Sequence, residues 1–173
     1  MPFNKQQSQT KSSAKEQVNH NFFFVEVPFN IVGPEAMAWG EGSWWPKNSL
    51  TQFSRISDGE LNVGTRFKMK IMKPVPAALT VEVTKFVPNK ILELTFKSGI
   101  FKGGYEVIKL EERTNGTRLD YEFHSRAKGV LNQVLSLLYQ NPYAENAKLI
   151  LSSLKEHVLK EYHDHQERQL EGA

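Results

Sequence analysis

Cysteine is absent from this sequence. Disulfide bonds, thiolate catalysis and cysteine-based zinc sites are therefore excluded. Also absent is an apolar run of the roughly 18 residues that a membrane-spanning helix requires. Residues 1–20 lack the apolar segment of a secretory signal. We therefore expect a cytoplasmic protein with no integral membrane segment.

Short motifs of the common enzyme classes are missing as well. The chain has no phosphate-binding glycine loop, no HExxH metal motif and no Ser-His-Asp order. His163 and His165 stand near Glu161 at the predicted end of a helix, where we expect solvated side chains and not a metal site. We predict no cofactor and no metal, and the sequence alone assigns no catalytic residue.

The small excess of positive charge is concentrated at the N-terminus. The formal net charge is +3. The first twenty positions contain Lys5, Lys11 and Lys15 but a single acidic residue, Glu16. A nucleic-acid-binding protein would carry its basic stripe on the folded body, so we expect no nucleic-acid partner. The composition predicts a disordered polar tail over residues 1–20, one domain over 21–167 and a C-terminal tail over 168–173.

Alternation of apolar and polar residues predicts about seven strands. We expect one short helix from Asn30 to about Trp39 and a second short helical turn from Trp44. The predicted strands cover Asn21 to Pro28, Leu50 to Ser57, Val63 to Met72, Leu79 to Val87, Lys90 to Lys97, Tyr105 to Glu111 and Thr117 to Ser125.

The last two strands and the C-terminal part define the fold class. Asn115-Gly116 lies between alternating segments, which indicates a hairpin turn at that pair. Apolar residues at helical spacing then predict a helix from Gly129 to about Glu167, with a kink or break near Asn141-Pro142. Strands that precede the long helix, without alternating with helices, indicate an α+β fold.

Four short motifs accompany this order of elements. They are Trp44-Trp45 after the first helix, Gly64-Thr65 opening the third strand, Gly103-Gly104-Tyr105 in the sixth, and Gly116-Thr117-Arg118-Leu119 opening the seventh. Over residues 21–165 the chain resembles the START-like / Bet v 1-like (SRPBCC) superfamily, in particular its polyketide cyclase/dehydrase and lipid-transport branch. The resemblance implies a helix-grip fold: a curved sheet of about seven strands wraps around the C-terminal helix, and a cavity between them holds a hydrophobic ligand. It implies no shared catalytic residue.

Inward-facing residues of the strands, the tryptophan cluster and the helix face are expected to line this cavity. Gly99, Gly103 and Gly104 are expected where a long strand bends. The predicted lining comprises Trp39, Trp44, Trp45, Phe67, Met69, Val81, Leu94, Phe96, Tyr105, Leu119, Tyr121, Phe123, Val134, Leu138, Ile150 and Leu154.

The sequence is compatible with three functions. The first is binding of a lipid-, isoprenoid- or polyketide-like molecule, with Tyr105 or Tyr121 as polar anchors. The second is a cyclase or dehydratase in which a tyrosine or a carboxyl group such as Glu82 or Glu106 moves a proton. The third is a co-chaperone-like interaction module that uses the charged outer face.

Side-chain orientation bears on this choice. Strict alternation places Arg66 and Arg118 on the polar outer face, and most of the acid and base groups of the last hairpin, Glu106, Asp120, Glu122 and His124, are expected to point outward as well. The three tryptophans fit a lid at the cavity entrance and a plug that seals the core equally well.

Overall fold

The structure covers most of the chain. A computed structural model describes residues 16–126 and 130–171. Predictions for residues 1–15, 127–129 and 172–173, including most of the polar tail and the helix start at Gly129, lie outside the described residues.

Seven antiparallel strands form a single sheet in the order β1-β7-β6-β5-β4-β3-β2. The predicted α+β class and strand number are thereby confirmed. The strands are β1 (Glu16–Val25), β2 (Thr51–Arg55), β3 (Arg66–Ile71), β4 (Ala77–Val87), β5 (Ile91–Phe96), β6 (Tyr105–Arg113) and β7 (Gly116–Arg126).

The first strand starts earlier than predicted. It begins at Glu16, not at Asn21, and pairs with β7 from Glu16 opposite Arg126 to Val25 opposite Thr117. Residues 16–20 therefore belong to the sheet and not to the predicted tail. Their polar composition concealed this, because backbone pairing along the edge of β7 needs no apolar side chain.

Only one of the two predicted short helices is present. Helix α1 spans Phe29–Met37, and residues 38–49 form turns and bends in place of a second helix. The helix is capped by Ala38, and two residues later Gly40 adopts a φ of 80°, a left-handed conformation that disfavours continuation of a helix.

The β6–β7 hairpin turns one residue earlier than predicted. Gly116 is already paired with Arg113, so Thr114 and Asn115 form the turn. The glycines expected to bend a strand lie instead in the connection between β5 and β6, at residues 97–104. There, a Cβ on Gly104 would come within 2.4 Å of the His124 carbonyl oxygen, so the site admits only glycine without a backbone shift.

Helix α2 spans Val130–Glu171 and packs against the inner face of the sheet. It is continuous through Pro142, so of the predicted kink or break near Asn141-Pro142 the break is wrong, whereas the kink stays a prediction. Tyr139, Tyr143, Ala147, Ile150 and other residues at helical spacing are buried. The first turns are different, since Val134, Leu137 and Leu138 are more than half exposed. The helix is therefore anchored mainly by its central turns.

Candidate functional site

A carboxyl group is buried between the sheet and α2. Glu106 is 2% exposed and lies on the inner face of β6, on the same side as Ile108 and Leu110. Its neighbours across the adjacent strands are Leu94 and Phe123, both buried. The expectation that Glu106 points outward is therefore wrong, because the strand follows the alternation of Ile108 and Leu110.

The two oxygens of this carboxyl group differ. The Tyr143 hydroxyl donates a hydrogen bond to Oε1, whereas Oε2 has no hydrogen-bond partner among the described residues. Buried polar atoms of native proteins almost always have a partner, and a buried atom without one costs about 1–3 kcal/mol. An orphaned oxygen in an apolar interior is therefore a feature that packing alone does not account for.

Burial dominates the ionisation of this cluster. It raises the pKa of Glu106, and the hydrogen bond from Tyr143, with smaller effects of the nearby polar groups of Tyr121 and Trp39, counteracts only part of the rise. No basic side chain of the described residues acts on this carboxyl group. Burial, reinforced by the carboxyl group, also raises the pKa values of Tyr121 and Tyr143 well above their usual value. The site thus favours a neutral acid beside two neutral phenols.

A cavity of about 10 Å³ adjoins the carboxyl group. This is the space of roughly one water molecule. Aromatic side chains occupy the space in which the family resemblance implied a ligand-sized cavity. The lining residues are Trp39, Trp45, Thr51, Phe53, Glu106, Tyr121, Tyr143, Asn146, Ala147 and Ile150.

A second space, of about 50 Å³, lies between α2 and the edge formed by β1 and β7. It is lined by Gln17, Val18, Asn19, Phe101, Phe123, Ser125, Tyr139, Gln140, Tyr143 and Ala144, and we call it the outer cleft. Tyr143 borders both the outer cleft and the buried cavity. Its ring stacks on Phe123, with 4.4 Å between ring centroids, and separates the two spaces.

The tryptophan cluster fills the end of the interior, in agreement with the plug alternative. Trp39 stacks on Tyr121 at a centroid distance of 5.3 Å and an interplanar angle of 22°. The indole N–H groups of Trp44 and Trp45 donate to the carbonyl oxygens of Glu35 and Thr51, at 3.1 and 3.0 Å. These bonds hold the rings in place around the cavity.

A buried amide fixes α2 to the start of β2. Asn146 Oδ1 accepts hydrogen bonds from the Leu50 backbone N–H at 2.6 Å and from the Ser49 hydroxyl at 3.1 Å. Its Nδ2 donates to Thr51 Oγ1 at 3.2 Å. Partly buried on α2, His157 lies 3.0 Å from a Glu35 carboxylate oxygen on α1. These contacts position the helix that carries Tyr143.

Most residues predicted to line a cavity lie in the interior, and their role in ligand binding stays a prediction. Trp39, Trp45, Tyr121 and Ile150 border the buried cavity, and Phe123 borders the outer cleft. The others inside the core are Trp44, Phe67, Met69, Val81, Leu94, Phe96, Leu119 and Leu154.

Three predicted lining residues lie elsewhere. Tyr105 is on the outer face of β6, with its ring stacked on His124 at 4.2 Å. It shares that face because β6 alternates in register with Ile108 and Leu110 on the inside. Val134 and Leu138 are each 52% exposed on the first turns of α2.

Five polar or aromatic members of the site were not placed there from the sequence. Glu106 was expected to face outward, and Thr51, Phe53 and Asn146 were not singled out. Tyr143 was not among the predicted lining residues, and it reaches the interior from α2, which continues through Pro142. The alternation of Glu106 with Ile108 and Leu110 was the available signal.

Several other ionisable groups singled out from the sequence pair on the outer face of the sheet. Arg66 contacts Glu82 at 2.8 Å, and Lys97 contacts the same carboxylate at 3.0 Å, so Glu82 is not an interior acid. Arg118 contacts Asp120 at 2.7 Å, as the predicted outward orientation requires. Glu122 and His124 also face outward and lie 3.0 Å apart.

Metal-binding clusters and membrane-spanning helices are both absent from the described part of the chain. No group of three histidine, aspartate or glutamate side chains there is arranged to hold a metal ion. No helix within residues 16–126 and 130–171 is long and apolar enough to cross a membrane.

Solved structures share this architecture at low sequence identity. The crystal structure of Ara h 8.0201 is 14% identical, with a TM-score of 0.62 over 84% of this chain and 99% of that one. Protein NE0264 from Nitrosomonas europaea is 18% identical, with a TM-score of 0.60 over 83% and 94%. A Polyketide_cyc-like protein, Cgl2372 from Corynebacterium glutamicum, is 16% identical, with a TM-score of 0.55 over 87% and 96%. No family model and no curated protein matches the sequence.

Proposed function

We propose that this chain, whose fold is the helix-grip fold of the Bet v 1-like superfamily, binds a small and mainly apolar molecule between the sheet and α2. The polar end of the molecule would lie at Glu106. The fold implied by the sequence resemblance is confirmed, whereas its polyketide cyclase/dehydrase and lipid-transport branch and the cytoplasmic location stay predictions.

The unpaired Oε2 of Glu106 carries this proposal. A core that served stability alone would gain from an apolar side chain at this position, because replacing buried polar groups by apolar ones of similar shape is often neutral or stabilising. A polar atom kept without a partner next to a cavity is what a site for a hydrogen-bonding ligand requires.

The apolar surroundings would supply most of the affinity. Burial of apolar surface contributes about 25 cal/mol per Å², and aromatic rings of Trp39, Tyr121 and Phe123 surround the site. The cavity of about 10 Å³ cannot hold such a molecule, so binding requires side chains to move. Tyr143 borders both the cavity and the outer cleft, and its displacement would join them.

A second candidate function is proton transfer to or from the bound molecule. The observation that favours it is the inward position of Glu106, since a buried carboxyl group with a raised pKa is a suitable general acid. Tyr143 and Tyr121 then orient the acid and the substrate. In this candidate function, Glu106 would be the proton donor of the cyclase or dehydratase chemistry considered from the sequence.

Native mass spectrometry and displacement of an environment-sensitive fluorescent probe, across a panel of lipids, isoprenoids and aromatic polyketides, test the binding proposal. We expect a saturable one-to-one complex that Glu106→Gln weakens. Glu122→Gln is the matched control, because Glu122 lies on the outer face in contact with Lys109. No saturable complex with any member of the panel, or equal effects of both variants, would refute the proposal. Conversion of a bound molecule that Glu106→Gln abolishes would favour the enzyme.

A further inference from the structure

We propose that the ligand presents a carbonyl oxygen to Glu106, which receives it as a neutral carboxylic acid with its proton on Oε2. This inference rests on the proposed binding function and adds the chemical class of the ligand.

The hydrogen bond from Tyr143 determines the position of the proton. Its hydroxyl donates to Oε1 of Glu106, which occupies a lone pair on that oxygen. Other acceptors near this hydroxyl are the Tyr121 hydroxyl oxygen and Met69 Sδ at 3.9 Å, of which the thioether is a weak acceptor. The carboxyl proton therefore belongs on Oε2, the oxygen without a partner. An O–H group directed at a cavity needs an acceptor.

The lack of nearby positive charge argues for the neutral acid and against an amine ligand. No basic side chain of the described residues acts on Glu106, and its cross-strand neighbours Leu94 and Phe123 are apolar. An ammonium ion would have to lose its hydration together with the carboxylate, and that double desolvation often exceeds the Coulombic gain. A neutral carbonyl avoids this cost and accepts the single available proton.

The walls favour a flat, unsaturated body attached to the carbonyl group. Trp39 and Tyr121 are stacked at 22°, and Phe123 and Tyr143 at 27°. Aromatic or conjugated molecules match such parallel rings by offset stacking. At its rim the outer cleft has the amides of Gln17, Asn19 and Gln140, which can hydrogen-bond a polar substituent at the far end.

Three probes with the same ring system separate the alternatives. They are 2-acetylnaphthalene, 2-ethylnaphthalene and 1-(2-naphthyl)ethylamine, which differ only in the group offered to Glu106. Dissociation constants are measured for the full-length protein and for Glu106→Leu. In this variant an apolar side chain replaces the carboxyl group, so no hydrogen-bond donor remains at this position. Glu106→Gln, whose amide still donates, is the second variant in case Glu106→Leu does not fold.

We expect the ketone to bind about tenfold more tightly than the hydrocarbon, the value of one good hydrogen bond. This ratio falls to about one in Glu106→Leu and is partly kept in Glu106→Gln. The infrared carbonyl stretch of the ¹³C-labelled ketone moves to lower wavenumber on binding and returns in Glu106→Leu. At neutral pH, the difference spectrum between the protein and Glu106→Gln shows a carboxylic acid band.

Each contrary result identifies what fails. Equal binding of ketone and hydrocarbon overturns the carbonyl inference and leaves the binding proposal standing. Tightest binding of the amine, or a carboxylate band in the difference spectrum, overturns it as well, because Glu106 is then a charged anchor. If none of the three probes binds, the inference is overturned, and the binding proposal is decided by the wider panel described above.

Discussion

The hydroxyl group of Tyr143 on α2 donates a hydrogen bond to Oε1 of Glu106 on β6. This bond joins the helix to the middle of the sheet at the one buried carboxyl group of the described core. The protonation of Glu106 and the position of the Tyr143 side chain are therefore coupled. Any ligand that displaces Tyr143 to reach the interior also changes the environment of the acid.

The first prediction concerns the pH dependence of stability. Burial raises the pKa of Glu106 in the folded protein, whereas a glutamate in the unfolded chain titrates near about pH 4.3. As pH rises above that value the unfolded chain loses this proton and the folded protein keeps it. The Glu106 contribution to the free energy of unfolding therefore falls, by at most about 1.4 kcal/mol per pH unit, until the folded pKa is passed.

Urea unfolding of the protein and of Glu106→Gln, at a series of pH values from 4 upward, measures this contribution by difference. The comparison is needed because Asp120, Glu82 and Glu122 have lowered pKa values and act in the opposite direction. They are present in both proteins and cancel. A stability difference that stays constant with pH would show that Glu106 titrates normally and is not held in a dry interior.

The second prediction concerns Tyr143→Phe. Loss of its hydroxyl leaves both oxygens of Glu106 without a partner, so we expect the free energy of unfolding to fall by about 1–3 kcal/mol. The pKa of Glu106 should rise further, because the hydrogen bond from Tyr143 opposes the effect of burial. Urea unfolding and an infrared titration of the carboxyl group measure the two effects.

Tyr139→Phe is the matched control for this variant. Tyr139 is also buried on α2, but its hydroxyl donates to the backbone carbonyl of Val75. Its loss should destabilise the protein without moving the titration of Glu106. If both variants shifted the titration equally, the effect would arise from general loosening of the helix and not from the bond to the carboxyl group.

The architecture could be predicted from the sequence, because successive side chains of a strand point to opposite faces of the sheet whatever the residues are. Inward residues such as Leu119, Tyr121 and Phe123 follow the period of two that one buried face imposes. The start of β1 was missed because Glu16 to His20 pair with β7 through their backbones and bury little apolar surface. Composition is a poor guide where the hydrogen-bond ladder alone holds a strand.

The site was harder to predict, because one strand contained two competing patterns. Tyr105 and Val107 indicated one orientation of β6, and Ile108 and Leu110 the other. The second prevails in the structure and brings Glu106 inside. The volume of empty space between the sheet and α2 could not be predicted from the sequence, because it depends on how the rings of Phe101 and Tyr143 pack. No pattern along the chain encodes such a packing.

The third prediction contrasts the two tyrosines proposed as polar anchors. Tyr121 borders the buried cavity, and its hydroxyl opposes the rise in the pKa of Glu106. Tyr121→Phe should raise that pKa and weaken binding of 2-acetylnaphthalene about two- to tenfold. Tyr105→Phe should change neither, because the Tyr105 ring stacks on His124 on the outer face. A loss of binding in Tyr105→Phe would mean that the ligand occupies the outer face instead.

The fourth prediction concerns the buried amide that fixes α2 to β2. In Asn146→Ala, the Leu50 backbone N–H loses its acceptor at 2.6 Å, and the hydroxyl groups of Ser49 and Thr51 lose partners at 3.1 and 3.2 Å. We expect the free energy of unfolding to fall by about 2–4 kcal/mol, since several buried polar groups become unsatisfied together. Urea unfolding at a fixed pH measures the loss.

Lys148→Ala provides the comparison on the same helix. Lys148 is exposed and contacts the neighbouring, exposed Glu145 at 2.8 Å, so its removal should change stability by less than about 0.5 kcal/mol. Asn146 also lines the buried cavity. Its loss should therefore weaken probe binding in proportion to the displacement of α2, whereas Lys148→Ala leaves binding unchanged. Equal losses of stability in the two variants would show that the amide is not what holds the helix against the site.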